Sequence, residues 1–552
     1  MGTKTISTAK DYLQLTAQEV WQDGHDAFQY IGRDRHTAFE ASGAITTPTP
    51  TEFNLDDYVG YTFRGKPVID QAGVINQIDS GTAIQINNGV ITYTFLDKNH
   101  LVGLFNNPTI GFTADYNISP FSAAQRSEAR QSVQFWDDLI PQTFVEKNGT
   151  GADIVFANSW DPAQAYAYYP TQQGWKFQSD VFIADPAVNS TNNWLSFGGY
   201  GATTLIHELG HTLGLSHPGN YNYDPNLPLT YVNYAEYAQD SVQYSIMSYW
   251  DESETGGFTR NWSTLQFNNP QTPMLHDILT VQAKYGADLT TRATDTIYGF
   301  GSTAARDVFD FSQNKWPFLT VYDAGGNDTI NLSGFTASQF LDLHDGSFSS
   351  IGAAVPTLAE ITAGRIALGQ ELGVNLAPRS QAFVNNIANQ MYNYTQASIA
   401  ADTGVAGIVT TQYNNFSIAY GTIIENAVGG SGRDLIWGNA VANNINGMGG
   451  NDVIDGYEGA DTLTGGAGAD IFAFHVIEKG DIITDFVSGS DKIDLTGTQV
   501  DFTWIGSAAF SNTAGELRFA GGHLLGDVNG DGIADLDITV IGALLPADLL
   551  II

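Results

Sequence analysis

The sequence predicts an α/β (α+β) domain followed by an all-β parallel roll, and three observations carry that prediction. Strand-like and helix-like patterns alternate from about Leu55 to Leu289. From Gly429 to Ala473 five nonapeptides follow one another without a break: "GGSGRDLIW", "GNAVANNIN", "GMGGNDVID", "GYEGADTLT" and "GGAGADIFA". At 552 residues the chain exceeds one ordinary core, so each pattern has room for its own domain. We therefore divide it into residues 1–54, an N-terminal helical segment with a linker; 55–290, the α/β domain; and 291–552, the roll.

In the first part, Leu13, Ala17, Val20, Trp21, Ala27, Phe28 and Ile31 follow an amphipathic helical spacing over residues 9–31. "TTPTPTEF", Thr46 to Phe53, then reads as a stiff extended linker, because alternating prolines forbid helix and remove ladder donors. In the second part, "SAAQRSEARQSVQFWDDLI" opens with a capping box, Ser122 to Gln125, and repeats Ala129, Val133, Trp136 and Ile140 along one face. "ADIVFAN" and "SDVFIAD" are β-branched and aromatic runs closed by turn residues, hence strands.

The third part is periodic. Gly opens every nonapeptide and fills the fourth place in four of five; Asp434, Asp452, Asp461 and Asp470 hold the sixth, with Asn443 in the second repeat, and an apolar residue holds the eighth. This is the pattern of a calcium-binding parallel β-helix. Glycines turn the chain where other residues resist, aspartates of successive turns share a hard cation in an oxygen cage, and the eighth side chain stacks inside. A flexible Gly/Asp linker would have no reason to place an apolar residue every ninth position. Two further acidic loops resemble oxygen-ligand sites: "DAGGNDTINL", an outlying repeat, and "DVNGDGIADLD", Asp527 to Asp537. The second has Ile538 where an EF-hand carries Glu, so a solvated turn is the alternative.

Charge narrows the function classes. With 59 acidic against 22 basic residues the formal charge is −37, which argues against nucleic acid and anionic membranes unless cations cover the carboxylates. The chain has no cysteine, so thiolate ligands and disulfides are excluded. No segment reaches membrane-spanning length, and the first residues lack the apolar core of a secretory signal peptide.

The chemistry concentrates in "TTLIHELGHTLGLSHPG", Thr203 to Gly219. His207 and His211 stand four apart, so on a helix both imidazoles leave one face and one metal can bridge them. Leu205, Ile206, Leu209 and Leu213 cover the other faces, Gly214 permits a turn, and His217 returns as third ligand. Three neutral nitrogens around one zinc leave a fourth position open, the arrangement of a catalytic site. Glu208 lies beside that position as general base. A buried helix with hydrogen-bonded histidines accounts for one His, but poorly for three with a Glu and a Gly in register. Downstream, "YSIMSYW" holds Met247 and Tyr249; a lone Met in such a run reads as core packing.

With these motifs in order, together with "PQTPMLHDILTVQAKYGAD", "TDTIYGF" and "IENAVGGSGRD", the sequence resembles the serralysin family of bacterial secreted metalloproteases over most of residues 55–552. The resemblance implies a metzincin zinc-protease domain joined to a calcium-loaded RTX β-roll. It assigns His207, His211 and His217 to one catalytic zinc, Glu208 to the base, Met247 to the Met-turn and Tyr249 to a switchable zinc ligand. Several structural calcium ions fall to Arg292 and Thr296 (by carbonyl), Asp323, Gly325, Asp328, Glu425, Gly430, Gly432, Asp434, Gly447, Gly450, Asp452, Gly456, Gly459, Asp461, Gly465, Gly468, Asp470, Asp485 and Asp491. It also implies a substrate laid antiparallel on an edge strand, expected here near Trp194 to Gly199, and export by a type I (ATP-binding-cassette) system that reads the terminal "PADLLII". The expected setting is extracellular, either free or at the cell surface. Protein or peptide substrates and the secretion apparatus are the expected partners, a proteinaceous inhibitor or a surface-layer protein are open ones, and a monomer is expected.

Three features depart from the family pattern. About fifty residues precede the recognisable domain and are either an inhibitory segment, making the chain a zymogen, or a permanent part of the fold. About sixty extra residues, near 354–414, include "SQAFVNNIANQMYNYTQASIA" with Phe383, Ile387, Met391 and Tyr394 on one helical face. The second repeat carries Asn443, which leaves the calcium count open. Besides a secreted endopeptidase, two alternatives stand: a processing protease for a bacterial surface protein, and an inactive surface-binding protein built on the repeats.

Overall fold

The computed structural model describes residues 54–86, 88–96, 118–148, 151–160, 164–173, 176–222 and 229–551. The helix expected over 9–31 and the linker over Thr46–Phe53 lie outside them. By its contacts the chain forms two units. One takes the described residues up to Thr255 with Asn269–Asp288 and Arg365–Ala377; the other takes Gly256–Asn268, Leu289–Gly364 and Pro378–Ile552.

In the first unit, β1 (Val90–Phe95) pairs in parallel with β2 (Thr143–Glu146) and with β3 (Ile154–Ser159). Six consecutive buried residues in β3 mark it as the sheet's covered centre. Beyond it, β4 (Ala165–Ala167) and β5 (Thr171–Gln173) both run antiparallel to β6 (Lys176–Ala184). The capping box of Ser122 and Gln125 starts α2 (Ala123–Asp137), which follows α1 (Gln71–Ile78). Buried Val133 and Trp136 face inward from α2, and the Trp136 indole donates to the Ile206 carbonyl at 3.1 Å. That bond fixes α2 to α3 (Tyr200–Thr212), the helix that carries the histidines. The last long helix of the unit's main run is α4 (Leu275–Tyr285).

The edge strand expected at Trp194–Gly199 is replaced by a turn after the short helix Ser190–Asn193. The Trp194 carbonyl is committed to the Ala202 amide, and Gly198 adopts φ +69°, so this stretch cannot extend. The sheet's antiparallel edge is β4 instead.

In the second unit successive nonapeptides alternate between two parallel sheets. Leu435–Asn439, Val453–Tyr457 and Ile471–Ala473 stack in one, and Asn444–Asn446 and Thr462–Thr464 in the other. One coil of the roll is thus two repeats. The eighth-position residues Ile436, Ile445, Ile454, Leu463 and Phe472 are all 0% exposed, as an interior stack requires. The loop from Asp527 to Asp537 is the tip of a hairpin: Asp527 accepts the Gly530 and Gly532 amides at 2.7 and 2.8 Å, and Asp535 accepts Val528 N–H at 2.8 Å. Residues 354–414 contain α5 (Leu358–Leu372) and α6 (Gln381–Thr403). The latter buries Val384, Ile387, Ala388, Met391, Thr395 and Ile399 and ends on Gly404 in the left-handed region.

Candidate metal centre

The spacing of His207 and His211 on α3 brings their rings to 4.8 Å between centroids. After the helix, Gly214 turns the chain at φ +81°, where a Cβ would lie 2.0 Å from the Thr82 carbonyl oxygen. Ser216 N–H then binds the Ile78 carbonyl, and His217 arrives 4.8 Å from the His211 ring. Each Nδ1 faces a backbone carbonyl: His207 that of Ile246 at 2.7 Å, His211 that of Leu215 at 2.7 Å, His217 that of Tyr221 at 3.0 Å. Carbonyls only accept, so each Nδ1 bears the proton and each Nε2 offers a lone pair.

Those lone pairs converge. The Nε2 atoms of His207 and His217 are 3.3 Å apart, and one ligand atom from each of the three histidines lies within 4.8 Å of the others. Two nitrogens about 2.0–2.1 Å from one tetrahedral ion would stand at about that 3.3 Å separation. Burial pushes His207 down to about 4 and His217 to about 3, and pushes His211 well below its usual range, so all three are neutral donors at pH 7. Glu208 is buried beside them, and its Oε2 has no hydrogen-bond partner among the described residues. A neutral three-nitrogen set with an orphaned carboxylate oxygen beside it fits a zinc ion with an open position.

Met247 is fully buried under α3, and a Cβ on Gly210 would fall 2.6 Å from its sulfur. That contact explains the glycine between the helix's two histidines. The Tyr249 ring lies 4.3 Å from that of His217 and is 39% exposed, so its phenol borders the centre from the solvent side.

Two carboxylates that the sequence analysis did not single out hold this arrangement. Buried Asp277 accepts Ile246 N–H at 2.6 Å, Ser245 Oγ–H at 2.7 Å and Met274 N–H at 2.8 Å. It thereby fixes the carbonyl that orients His207. Asp240 accepts from Tyr221 Oη, Ser248 Oγ and Trp250 Nε1 at 2.9, 2.7 and 3.0 Å, which fixes the ring stacked on His217. The available signal was a single carboxylate inside an otherwise uncharged run, as in "TPMLHDILTV".

A metallopeptidase, AprA, of Pseudomonas marginalis is 35% identical over 536 residues, covering 93% of this chain and 98% of its own. The chain belongs to the serralysin family. Serralysin G of Dickeya chrysanthemi is 32% identical over 90% of this chain and 92% of its own, and a serralysin of Photorhabdus laumondii 36% identical over 69% and 68%. The family profile described as Peptidase M10 serralysin C terminal matches residues 287–366 and 381–551.

In this serralysin-family roll the sixth-position residues form two columns. Asp434 N–H donates to Asp452, Asp452 N–H to Asp470, and Asp470 N–H to Asp491. Asn443 N–H donates to Asp461, and Asp461 N–H to Asp481. First-position glycines face the sixth residue of their own repeat: a Cβ on Gly447, Gly456 or Gly465 would approach Asp452, Asp461 or Asp470 to 2.5, 2.0 or 2.5 Å. Fourth-position glycines stack on one another, a Cβ on Gly450 or Gly468 meeting the carbonyl of Gly432 or Gly450 at 2.0 or 1.5 Å. Gly459 and Gly430 are similarly confined by the carbonyls of Val441 and Phe335. Asp485 accepts the Gly465 and Gly466 amides.

Ahead of the repeats, Asp328 accepts Thr296 N–H at 2.7 Å and passes its own N–H to Glu425. Asp323 accepts Gly325 N–H, and Arg292, at φ +51°, donates to the adjacent Tyr322 carbonyl. Burial raises Asp452 to about 7 and Asp461 to about 8, and raises Asp434 and Asp328 as well. Asp328, Asp452 and Asp481 each keep one buried oxygen without a partner among the described residues. Glu478 and Asp481 join Asp461 in a cluster whose oxygens lie within 4.8 Å of one another. Their step breaks the period, Asp481 standing 20 residues after Asp461 where the repeats step by 18, so periodicity alone passes over them.

Proposed function

We propose that the chain is a secreted zinc endopeptidase whose roll is stabilised by calcium. The observation that carries this reading is the convergence of three neutral Nε2 atoms beside the orphaned Oε2 of Glu208, in a chain of the serralysin family. His207, His211 and His217 would hold the ion. A zinc ion there supplies Lewis acidity, acidifying water and polarising a peptide carbonyl. Burial alone lifts Glu208 to about 8, and a dication alongside pulls the other way, which leaves the carboxylate poised to take a proton near neutrality. Glu208 receives the proton of the attacking water and returns it to the leaving nitrogen. Tyr249, with its phenol at the solvent side of His217, donates a hydrogen bond to the oxyanion as it forms. The carboxylate columns would take calcium, whose charge relieves their mutual repulsion, and extracellular millimolar calcium would make folding of the roll coincide with export.

Glu208→Gln keeps the shape and the histidines while removing the base. Casein cleavage should fall by about a hundredfold or more with zinc content unchanged. Undiminished cleavage by a clean Glu208→Gln preparation would show that another group moves the proton.

A further inference from the structure

The family profile leaves residues 367–380 unmatched, yet the segment Arg365–Ala377 belongs to the unit that carries the histidine centre. What it touches there is specific. Leu368, Leu372 and Leu376 bury themselves against Trp194, which retains 7% exposure. Next to that ring, the Glu371 carboxylate accepts Leu195 N–H at 2.7 Å. The segment is closed on itself by the Arg365 guanidinium on the Ala377 carbonyl, 2.9 Å, and by Val374 N–H on Gly369, 2.8 Å. A Cβ on Gly369 would lie 2.7 Å from the Val374 carbonyl oxygen, so the return needs that glycine.

Trp194 and Leu195 lead into the helix of His207, Glu208 and His211. That helix starts at Gly199, which has no side chain to cap it. Orphan amides of a first turn need acceptors, and here the Trp194 carbonyl accepts Ala202 N–H at 3.2 Å. The approach fits tightly: a Cβ on Gly199 would fall 2.4 Å from the Trp194 carbonyl oxygen and 2.5 Å from its ring. On the other side, the Asn269 backbone and side-chain amides both hold the Gly198 carbonyl.

We propose that Glu371 is a positioning residue for the peptidase reaction, anchoring Leu195 so that the adjoining Trp194 carbonyl caps the helix of His207, Glu208 and His211. Residues 365–377 thus form a brace that this chain adds to its catalytic unit. The inference rests on the peptidase reading for its kinetic readout, and on geometry alone for its exchange readout.

The test uses the full calcium-loaded chain. Glu371→Met keeps the packed stem and removes the acceptor, whereas Glu371→Gln keeps one oxygen that can accept Leu195 N–H. In Glu371→Met, amide exchange in the first turn, residues 200–204, should quicken about tenfold, and kcat on a peptide should fall about tenfold with KM within about twofold. Glu371→Gln should recover at least half of the wild-type kcat. Wild-type exchange and kcat in Glu371→Met would overturn the proposal. So would a Glu371→Gln as impaired as Glu371→Met, or a lower melting temperature with first-turn exchange unchanged. If the wild-type chain cleaved no peptide even after removal of residues 1–50, the peptidase reading would fall, and the exchange comparison would still decide the role of Glu371.

Discussion

Three imidazoles in one unit and two columns of carboxylates in the other both gather ligand-type side chains, but they are kept ready by different means. Around the histidines every Nδ1 is bound to a carbonyl, and two of those carbonyls, of Ile246 and Tyr221, belong to residues that Asp277 and Asp240 tie down. The donors are neutral, so the protein alone can hold them converged. In the roll, Asp434, Asp452 and Asp470 stack with backbone amides as their main partners, and burial raises the pKa of each. Like charges brought together in this way resist the fold unless protons or cations neutralise them. On the proposed function, the zinc centre relies on fixed neutral donors, and the roll relies on carboxylate charge left for calcium to compensate.

The largest expected break in this contrast comes from Asp277→Ala. It strands the buried Ile246 and Met274 amides and the Ser245 hydroxyl, at a cost of about 3 kcal/mol. The His207 carbonyl partner loosens with them, so zinc affinity and kcat/KM should each fall by about a hundredfold. Chemical denaturation and zinc competition against a chelator measure both; unchanged zinc affinity would mean that the imidazoles are held by other means.

Asn443→Asp sharpens the other side, with a smaller effect. The Asn443 amide donates to the Glu425 carbonyl and to Asn439 Oδ1, so that coil carries its own donors where neighbouring repeats have carboxylate oxygen. With Asp there, calcium-free protein should lose about 1 kcal/mol and calcium-saturated protein should recover most of it. Thermal melts at both calcium levels check this, and a loss that calcium fails to reverse would remove the coil from the ion sites.

Much of this was legible in the sequence because periodicity and local spacing carry it. His207, His211 and His217 are set by helix pitch and one glycine turn, and the nonapeptides write their own interior through Ile436, Ile445, Ile454, Leu463 and Phe472. What escaped was set by tertiary contacts. Asp240 and Asp277 work through backbone groups more than thirty residues away or through ring stacking, and Trp194–Gly199 reads as a strand until its carbonyl is seen to serve a helix. Glu371 lies 176 residues from Leu195, and no local pattern announces that bond.

The most direct measurement compares the thermal stability of the full chain at pH 5 and pH 8, with and without calcium. An aspartate raised above its ordinary 3.8 holds its proton more tightly folded than unfolded. The stability it contributes is therefore complete below about pH 4 and is lost as pH rises through about 7 for Asp452 and about 8 for Asp461. Without calcium, the roll should melt at a lower temperature at pH 8 than at pH 5; with millimolar calcium the order should reverse, because protons then compete with the ion. A calcium-free roll as stable at pH 8 as at pH 5, with no response to calcium, would contradict the claim that its carboxylate columns are ion sites.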